Sequence, residues 1–296
     1  MKLTALMPCR NEDWCLGLSA RVALTWADAL CILNHASTDE TVDIIAEVSR
    51  EHPGRVHLIS APELQWSEMQ HRQMLLEAAR DRGATHIAIV DADEILTGNL
   101  IEFARTGIGT AAARGLVELP GYNLRASLNR YHLNGTWGRR HFAFAFEDNP
   151  RLHWFEKGRT TEQFHKRVPD GPLERRNPSP IPQGHGGIMH LWGVSDRRLR
   201  AKHRAYRITE ALRWPEKPHA EIERMYSWWR TGIKPEEPNN WQFADVPESW
   251  WSPYEKWMKY LNVSAIPWQE AWCDEMIERH GIQRFEGLSV QSSSRG

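Results

Sequence analysis

The first hundred residues alternate short apolar runs with amphipathic stretches. Leu3 to Met7, Ala29 to Leu33, Val56 to Ile59 and His86 to Val90 are apolar-dominated and bounded by polar or turn-forming residues, the pattern of buried strands. Asp39 to Arg50 carries Val42, Ile45, Ala46 and Val48 at roughly helical spacing behind an Asp that can cap a helix. Ser67-Glu68-Met69-Gln70 has the form of a capping box opening a second helix to about Arg82, with Gly83 as its stop. Strand alternating with helix predicts a mainly parallel sheet covered on both faces, an α/β sandwich that presents ligands at the carboxyl ends of its strands.

Beyond about Gly121 the pattern loosens. His141 to Phe146 alternates aromatic and small residues like a strand, and the Pro- and Arg-rich stretch from Val168 to Pro182 reads as a long surface loop, a feature more often functional than accidental. From Ser195 the chain reads as helical, with Arg197, Arg198, Arg200, Lys202 and Arg204 on its first turns. The predicted organisation is an α/β domain over 1–194, a helical Trp-rich region over 195–286 and a flexible tail over 287–296.

Composition narrows the class. With 296 residues, 41% hydrophobic and 25% charged, and a mean hydropathy of −0.59, the chain is expected to be globular rather than disordered. No apolar run reaches bilayer-spanning length and Met1-Lys2 leads straight into a strand-like segment, so a cytoplasmic protein is expected. A net charge of −1 gives no long-range attraction to nucleic acid or anionic lipid. Cys9, Cys15, Cys31 and Cys273 form no Cys-x-x-Cys pair, so they read as reduced thiols. The chain is rich in tryptophan, with 15, and the late ones (Trp214, Trp228, Trp229, Trp241, Trp250, Trp251, Trp257, Trp268, Trp272) suit either core packing or stacking on planar or sugar surfaces.

Candidate chemistry concentrates at Asp91-Ala92-Asp93-Glu94, which ends the fourth apolar run. Carboxylates crowded at a strand terminus repel one another unless a cation is present, and Mg²⁺ or Mn²⁺ favours oxygen ligands. A solvated acidic turn capping the next helix accounts for the tripeptide equally well. Two further segments keep it company: Pro8-Cys9-Arg10-Asn11-Glu12 after the first run, and Asn34-His35-Ala36-Ser37-Thr38-Asp39-Glu40-Thr41 after the second.

Taken in order, these three motifs resemble the family 2-like glycosyltransferases with a GT-A fold, over roughly the first hundred residues. The resemblance implies a Rossmann-like αβα sandwich and transfer of a sugar from a nucleotide-diphosphate donor to a hydroxyl acceptor, with Mn²⁺ or Mg²⁺ at a DXD motif. It implies that Pro8, Arg10 and Glu12 line the donor pocket and that Asp39 meets the base or ribose. Asn34 stands where the family usually has Asp. Arg72, early in the helix before the Asp-x-Asp strand, and Lys202 are candidates for the donor diphosphate. Asp91 and Asp93 are candidate metal ligands, with His190 at the end of an apolar run as the third and His185 as its competitor. An inverting transfer requires a carboxylate base, for which Glu147, Asp148 and Asp170 are candidates, Asp148 first. The acceptor is open between glycan, lipid, protein, small molecule and modified DNA base.

Two other readings compete. A nucleotidyltransferase also pairs acids on a parallel sheet, but usually with a glycine-rich loop after the first strand, and Pro8 to Glu12 has no glycine. A carbohydrate- or nucleic-acid-binding module would use the tryptophans together with Arg139, Arg140 and the Arg197 to Arg204 cluster, leaving Asp91, Asp93 and Glu94 unexplained. Ser249 to Tyr260, with five aromatic residues, could lie on a membrane or pack on the catalytic domain.

Overall fold

In a computed structural model of the protein, residues 1–63, 66–112, 115–138, 140–155, 166–173, 179–231 and 240–291 are described. The strands are β1 (Leu3–Cys9), β2 (Ala29–His35), β3 (Val56–Ala61), β4 (His86–Ile89), β5 (Glu94–Leu96), β6 (Leu116–Asn123), β7 (Arg130–His132), β8 (Arg140–Glu147), β9 (Ile188–His190) and β10 (Phe243–Asp245). The helices are α1 (Asp13–Trp26), α2 (Thr41–Glu51), α3 (Glu68–Arg80), α4 (Ile108–Ala112), α5 (Gly135–Gly138), α6 (Asp196–Arg213), α7 (His219–Thr231), α8 (Glu248–Trp251) and α9 (Gln269–His280), with a 3-10 stretch, Ser252–Tyr260, following α8.

The chain parts into two compact units, each assembled from three segments. The first is Met1–Tyr122, Arg140–Leu191 and Pro247–Asn262; the second is Asn123–Arg139, Trp192–Val246 and Val263–Gly296. The linear boundaries expected at 194 and 286 thus give way to an interleaved division. The reason lies in pairing: β7 joins the later chain through antiparallel β10, with Phe243 opposite His132 and Asp245 opposite Arg130.

The first unit is built on an eight-stranded sheet in the order β3-β2-β1-β4-β8-β6-β9-β5. The four strands predicted from the apolar runs form its parallel half, β3 on β2, β2 on β1 and β1 on β4. The other half is antiparallel, with β8 against β4, β6 against β8 and β5 against β9. The fold is therefore mixed α/β with a mainly parallel sheet, as expected, the parallel pairing lying in β1 to β4. Pro8, which has no amide hydrogen to give a ladder, sits in β1 beyond Leu6↔Ile89, where the pairing to β4 ends.

Helix α1 escapes the sequence pattern because almost all of it is buried, leaving no polar face to set a period. Its Arg21, 1% exposed, is compensated by Glu47 and Glu51, by the Gly17 carbonyl and by the Tyr260 ring 3.6 Å below its guanidinium carbon. In α2, Ile45 and Val48 face the core as expected, whereas Val42 is exposed. The aromatic segment Ser249 to Tyr260 packs on this unit: Trp250 lies 4.4 Å from Tyr122 by ring centroids, and the buried Tyr254 donates to the Leu96 carbonyl at 2.9 Å.

The second unit gathers α6, α7 and α9 around Ile208, Ala211, Ile222, Cys273 and Phe285. Leu288 and Val290 complete that core, so the tail expected from 287 onward is packed as far as Val290, because its two apolar residues find an apolar socket; 292–296 lie outside the described residues. The basic face of α6 is largely neutralised within the unit. Arg197 forks onto Glu270, Arg204 pairs with Asp274, Arg207 with Glu223, and Arg198 donates to the Ala265 carbonyl.

Burial, reinforced by Arg207, Lys202 and Arg125, pushes the His203 pKa down to about 3. A histidine whose folded pKa lies below its unfolded value of about 6.5 takes up its proton more readily when unfolded. Its stability is therefore complete above pH about 6.5 and lost as pH falls toward 3. Thermal melts of wild type and His203→Phe at pH 7, 5 and 4 are expected to converge or cross on acidification; a constant difference across that range would contradict the assignment.

Candidate functional site

The carboxyl ends of β1, β2 and β4 converge, and the loops that leave β1 and β2 are stitched together by side chains. Asn11 adopts a positive φ of 52° and Ala36 one of 46°, conformations that asparagine tolerates and alanine rarely adopts. The Asn11 amide donates to Ser37 Oγ at 2.9 Å and its Oδ1 accepts from the Thr38 amide at 2.7 Å. The Glu12 amide donates to Thr41 Oγ1 at 2.9 Å. Asp39 accepts from the amides of Thr41 (3.0 Å) and Asp13 (3.2 Å), joining the starts of α2 and α1. Asn34 Oδ1 accepts from the Ser37 amide at 3.2 Å. The Ser-Thr-Asp-Glu-Thr segment is thus first a structural clasp. Asn34 and Asp39 act there as turn and cap, and Glu12 takes a 2.6 Å hydrogen bond from Trp14 Nε1.

Beyond β4 the chain turns, the Glu94 amide donating to the Asp91 carbonyl at 2.9 Å, and enters β5. Pairing of β5 with β9 sets Glu94 opposite His190, and the Leu191 amide donates to the Asp93 carbonyl at 2.8 Å. Consequently Asp93 Oδ2 and His190 Nε2 stand 3.4 Å apart. This approach depends on Gly187 at the start of the β9 region, where any Cβ would fall 1.9 Å from the Pro120 carbonyl oxygen.

Asp91 has different company. Arg72 on α3 reaches its Oδ1 at 3.1 Å and Arg167 its Oδ2 at 3.4 Å. Arg72 also pairs with Glu68 at 2.8 Å. Arg167 clamps both oxygens of Glu94 at 2.7 Å and donates to the carbonyls of Ala143 and Ile89, each at 2.7 Å. Burial would raise the Asp91 pKa and Asp93 adds to that, but Arg72 and then Arg167 outweigh both and hold it below the usual carboxylate value. Burial alone would lower the pKa of Arg72, yet Asp91 and Glu68 hold it above its ordinary value. Arg72 is only 4% exposed. It is placed to orient Asp91, and its buried Nη1 has no hydrogen-bond partner among the described residues.

The remaining candidates separate. Arg10 follows β1, half-buried, with burial lowering its pKa, and Pro8 is a buried strand residue. Glu147 pairs with His86, at the start of β4 and so at the opposite end of that strand from Asp91. Asp148 follows it there and forks onto Arg80 at 2.8 and 2.9 Å. Neither is brought to the Asp91–Asp93 turn, because β8 runs antiparallel to β4 and delivers its end to the wrong side. Asp170 is paired with Lys166, His185 is exposed, and Lys202 belongs to the second unit, on α6. Arg139 lies outside the described residues.

Sequence reasoning missed Arg167. It immediately precedes the Pro- and Arg-rich stretch, but nothing local marks its partners, which are 73 and 76 residues away. The ring cluster of His35, Trp66 and His71 at the end of β2, with centroids 4.6 to 5.2 Å apart, was missed as well. Burial, then His35, pushes His71 down to about 4, so it is neutral at pH 7.

Among the described residues, no group of three or more His, Cys, Asp or Glu is arranged to hold a metal ion, and no helix is long and apolar enough to cross a membrane. No protein-family model and no curated protein matches the sequence. Three solved structures to which the chain shows likeness are S. aureus TarS 1-349 in complex with UDP-GlcNAc (16% identity, 44% of this chain and 36% of that one, TM-score 0.33), glucosyl-3-phosphoglycerate synthase from Mycobacterium tuberculosis in complex with Mn²⁺, UDP and glucosyl-3-phosphoglycerate (15%, 41% and 43%, 0.31), and the mannosyltransferase PcManGT from Pyrobaculum calidifontis in complex with GDP-Man and Mn²⁺ (16%, 42% and 35%, 0.31). The matched part spans less than half the length of each of these structures. Scores of this size leave the functional argument to the chain's own residues.

Glu94 is 2% exposed, so Arg167→Ala would leave its charge buried without its main partner, at a cost of about 3–5 kcal/mol. Arg167→Lys is expected to recover only part of this, because an ammonium cannot match both carboxylate oxygens and two carbonyls at once. Urea denaturation checks this, and an unchanged midpoint for the alanine variant would refute it.

Proposed function

We propose that the first unit binds a nucleoside diphosphate and that the chain is a transferase acting on a diphosphate-linked donor. More particularly, it is a metal-dependent glycosyltransferase that moves a sugar from a nucleotide-diphosphate sugar to a hydroxyl acceptor. The observation that carries this reading is the Asp93–His190 pair, 3.4 Å apart, at the carboxyl end of a parallel strand and beside the clasped β1 and β2 loops, where ligands of such sheets bind.

A carboxylate oxygen facing an imidazole nitrogen fits Mn²⁺ or Mg²⁺ shared with the donor. Such ions are commonly held by one or two carboxylates together with substrate phosphates rather than by an all-protein cage. Bound there, the ion would supply stabilisation of charge developing on the leaving diphosphate. Asp93 and His190 would hold it. Asp91, with one guanidinium on each oxygen, is better suited to accept a hydrogen bond from the donor than to be a full metal ligand. Arg10, at the exit of β1, supplies a cation for phosphate. Inversion would need a base other than Glu147 or Asp148, given where those residues sit.

Two observations favour this over its rivals. The turn after β1 is shaped by Asn11 in a positive-φ conformation, without the glycines that a phosphate-wrapping loop of a nucleotidyltransferase uses. Three arginines of α6, Arg197, Arg204 and Arg207, are paired with acids inside the second unit, which weakens their case as a nucleic-acid surface.

A thermal-shift screen against UDP-, GDP-, CMP- and dTDP-sugars with and without Mn²⁺ tests the proposal, since a ligand bound only by the native state at 100 times its Kd adds about 2.7 kcal/mol. A Mn²⁺-dependent rise with one diphosphate series is expected. Asp93→Asn should abolish that dependence together with turnover, and a metal-dependent rise that survives in this variant would rule out the site. Arg72→Ala is expected to weaken donor binding at least tenfold while leaving the acceptor KM unchanged; unchanged donor affinity would remove Arg72 from the donor site.

A further inference from the structure

Wholly within the second unit lies a cavity of about 150 Å³ whose walls include Trp137, Trp192, Trp241, Phe243, His132 and Arg125. Trp192 is fixed by a 3.2 Å hydrogen bond from its Nε1 to Asn123 Oδ1, and it packs on Trp137 with centroids 4.8 Å apart. On another wall His132 packs on Trp241 at 5.0 Å and on Phe243 at 4.9 Å. The strand pair β7–β10 fixes the second set, since Phe243 lies directly opposite His132. Trp137, Trp241 and Phe243 are half-buried. None of these residues enters the donor site described above.

His132 sets the polarity of the cavity. Its residue is 8% exposed, and its Nδ1 is buried with no hydrogen-bond partner among the described residues. An orphaned buried group of this kind is destabilising, and a ligand hydroxyl would relieve it. Burial, with Arg125 and Arg130 adding to it, pushes the His132 pKa down to about 4, so the ring is neutral at pH 7. The neighbouring arginines disfavour a cationic occupant. The polar nitrogen disfavours a purely aliphatic one, because a lipid chain would leave it unsatisfied.

Shape narrows the choice further. An apolar cavity of about 150 Å³ is known to hold one benzene-sized ring. The ring pairs that line this one are tilted by 46° to 75° rather than parallel, so they offer no slot for sandwiching a flat base. A pyranose chair presents C–H bonds to aromatic faces and carries hydroxyls around its rim. We propose that this cavity is a carbohydrate-binding subsite holding one pyranose ring of a glycan, with Trp137, Trp241 and Phe243 stacking on the ring and His132 Nδ1 hydrogen-bonding a hydroxyl. The proposal stands apart from the donor reading, because the residues are different and binding requires neither nucleotide nor metal.

The test is saturation-transfer NMR on the full chain without nucleotide or metal, using the methyl pyranosides of glucose, galactose, mannose and N-acetylglucosamine. Transfer to ring C–H protons of at least one pyranoside is expected. Affinity should fall tenfold or more in Trp241→Ala and several-fold in His132→Phe, which keeps an aromatic ring but removes the nitrogen. Near-UV circular dichroism identifies variants that remain folded. Should Trp241→Ala fail to fold, His132→Phe decides alone. Absence of transfer to every pyranoside, equal transfer in the folded variants, or Trp241-dependent binding of free nucleosides in place of sugars would overturn the proposal.

Discussion

The pairing of Arg167 with Glu94 is the constraint on which the first unit's site depends. Glu94 sits at the start of β5 with almost no access to water, and a carboxylate in that position is tolerable only with a partner that matches both oxygens. Arg167 provides the match and spends its other donors on the Ile89 and Ala143 carbonyls, fastening a distant segment to β4 and β8. With Glu94 held, its Oε2 takes the Asp91 amide at 3.0 Å and fixes the turn that aims Asp91 and Asp93.

From that clamp the site divides its three acids by role. Glu94 is structural, Asp91 is oriented by two guanidiniums, and Asp93 faces His190. Their separation follows from geometry rather than residue type: each carboxylate's surroundings are set by which cations the fold brings within reach. Arg72 and Arg167 offset two of the three negative charges of Glu68, Asp91 and Glu94.

The two units handle aromatic residues differently. In the first, Trp250 and Tyr254 are core elements that lock a returning segment against β6 and the end of β5. In the second, Trp137, Trp192 and Trp241 line a cavity. A chain with 15 tryptophans thus uses them both as packing and as walls.

The sequence by itself determined the parallel half of the sheet. Leu3, Ala29, Val56 and His86 each open a strand within which burial is local and the apolar run is short, so pattern alone suffices. It also placed Asn11, Asp39, Asp91 and Asp93 in the turns that directly follow those strands. Helix α1 was illegible because burial on all sides erases the period that marks a helix, and the packing of Leu288 and Val290 was illegible because two apolar residues in a polar tail carry no pattern. Only the tertiary structure decided the rest. Whether Glu147 and Asp148 could reach the Asp91–Asp93 turn depended on β8 running antiparallel to β4, and the meeting of His190 with Asp93 depended on β9 pairing with β5. Arg167 found Glu94 across 73 residues. Such contacts are fixed by strand direction and by the need to neutralise a buried charge, and neither is encoded in the spacing of residues along the chain.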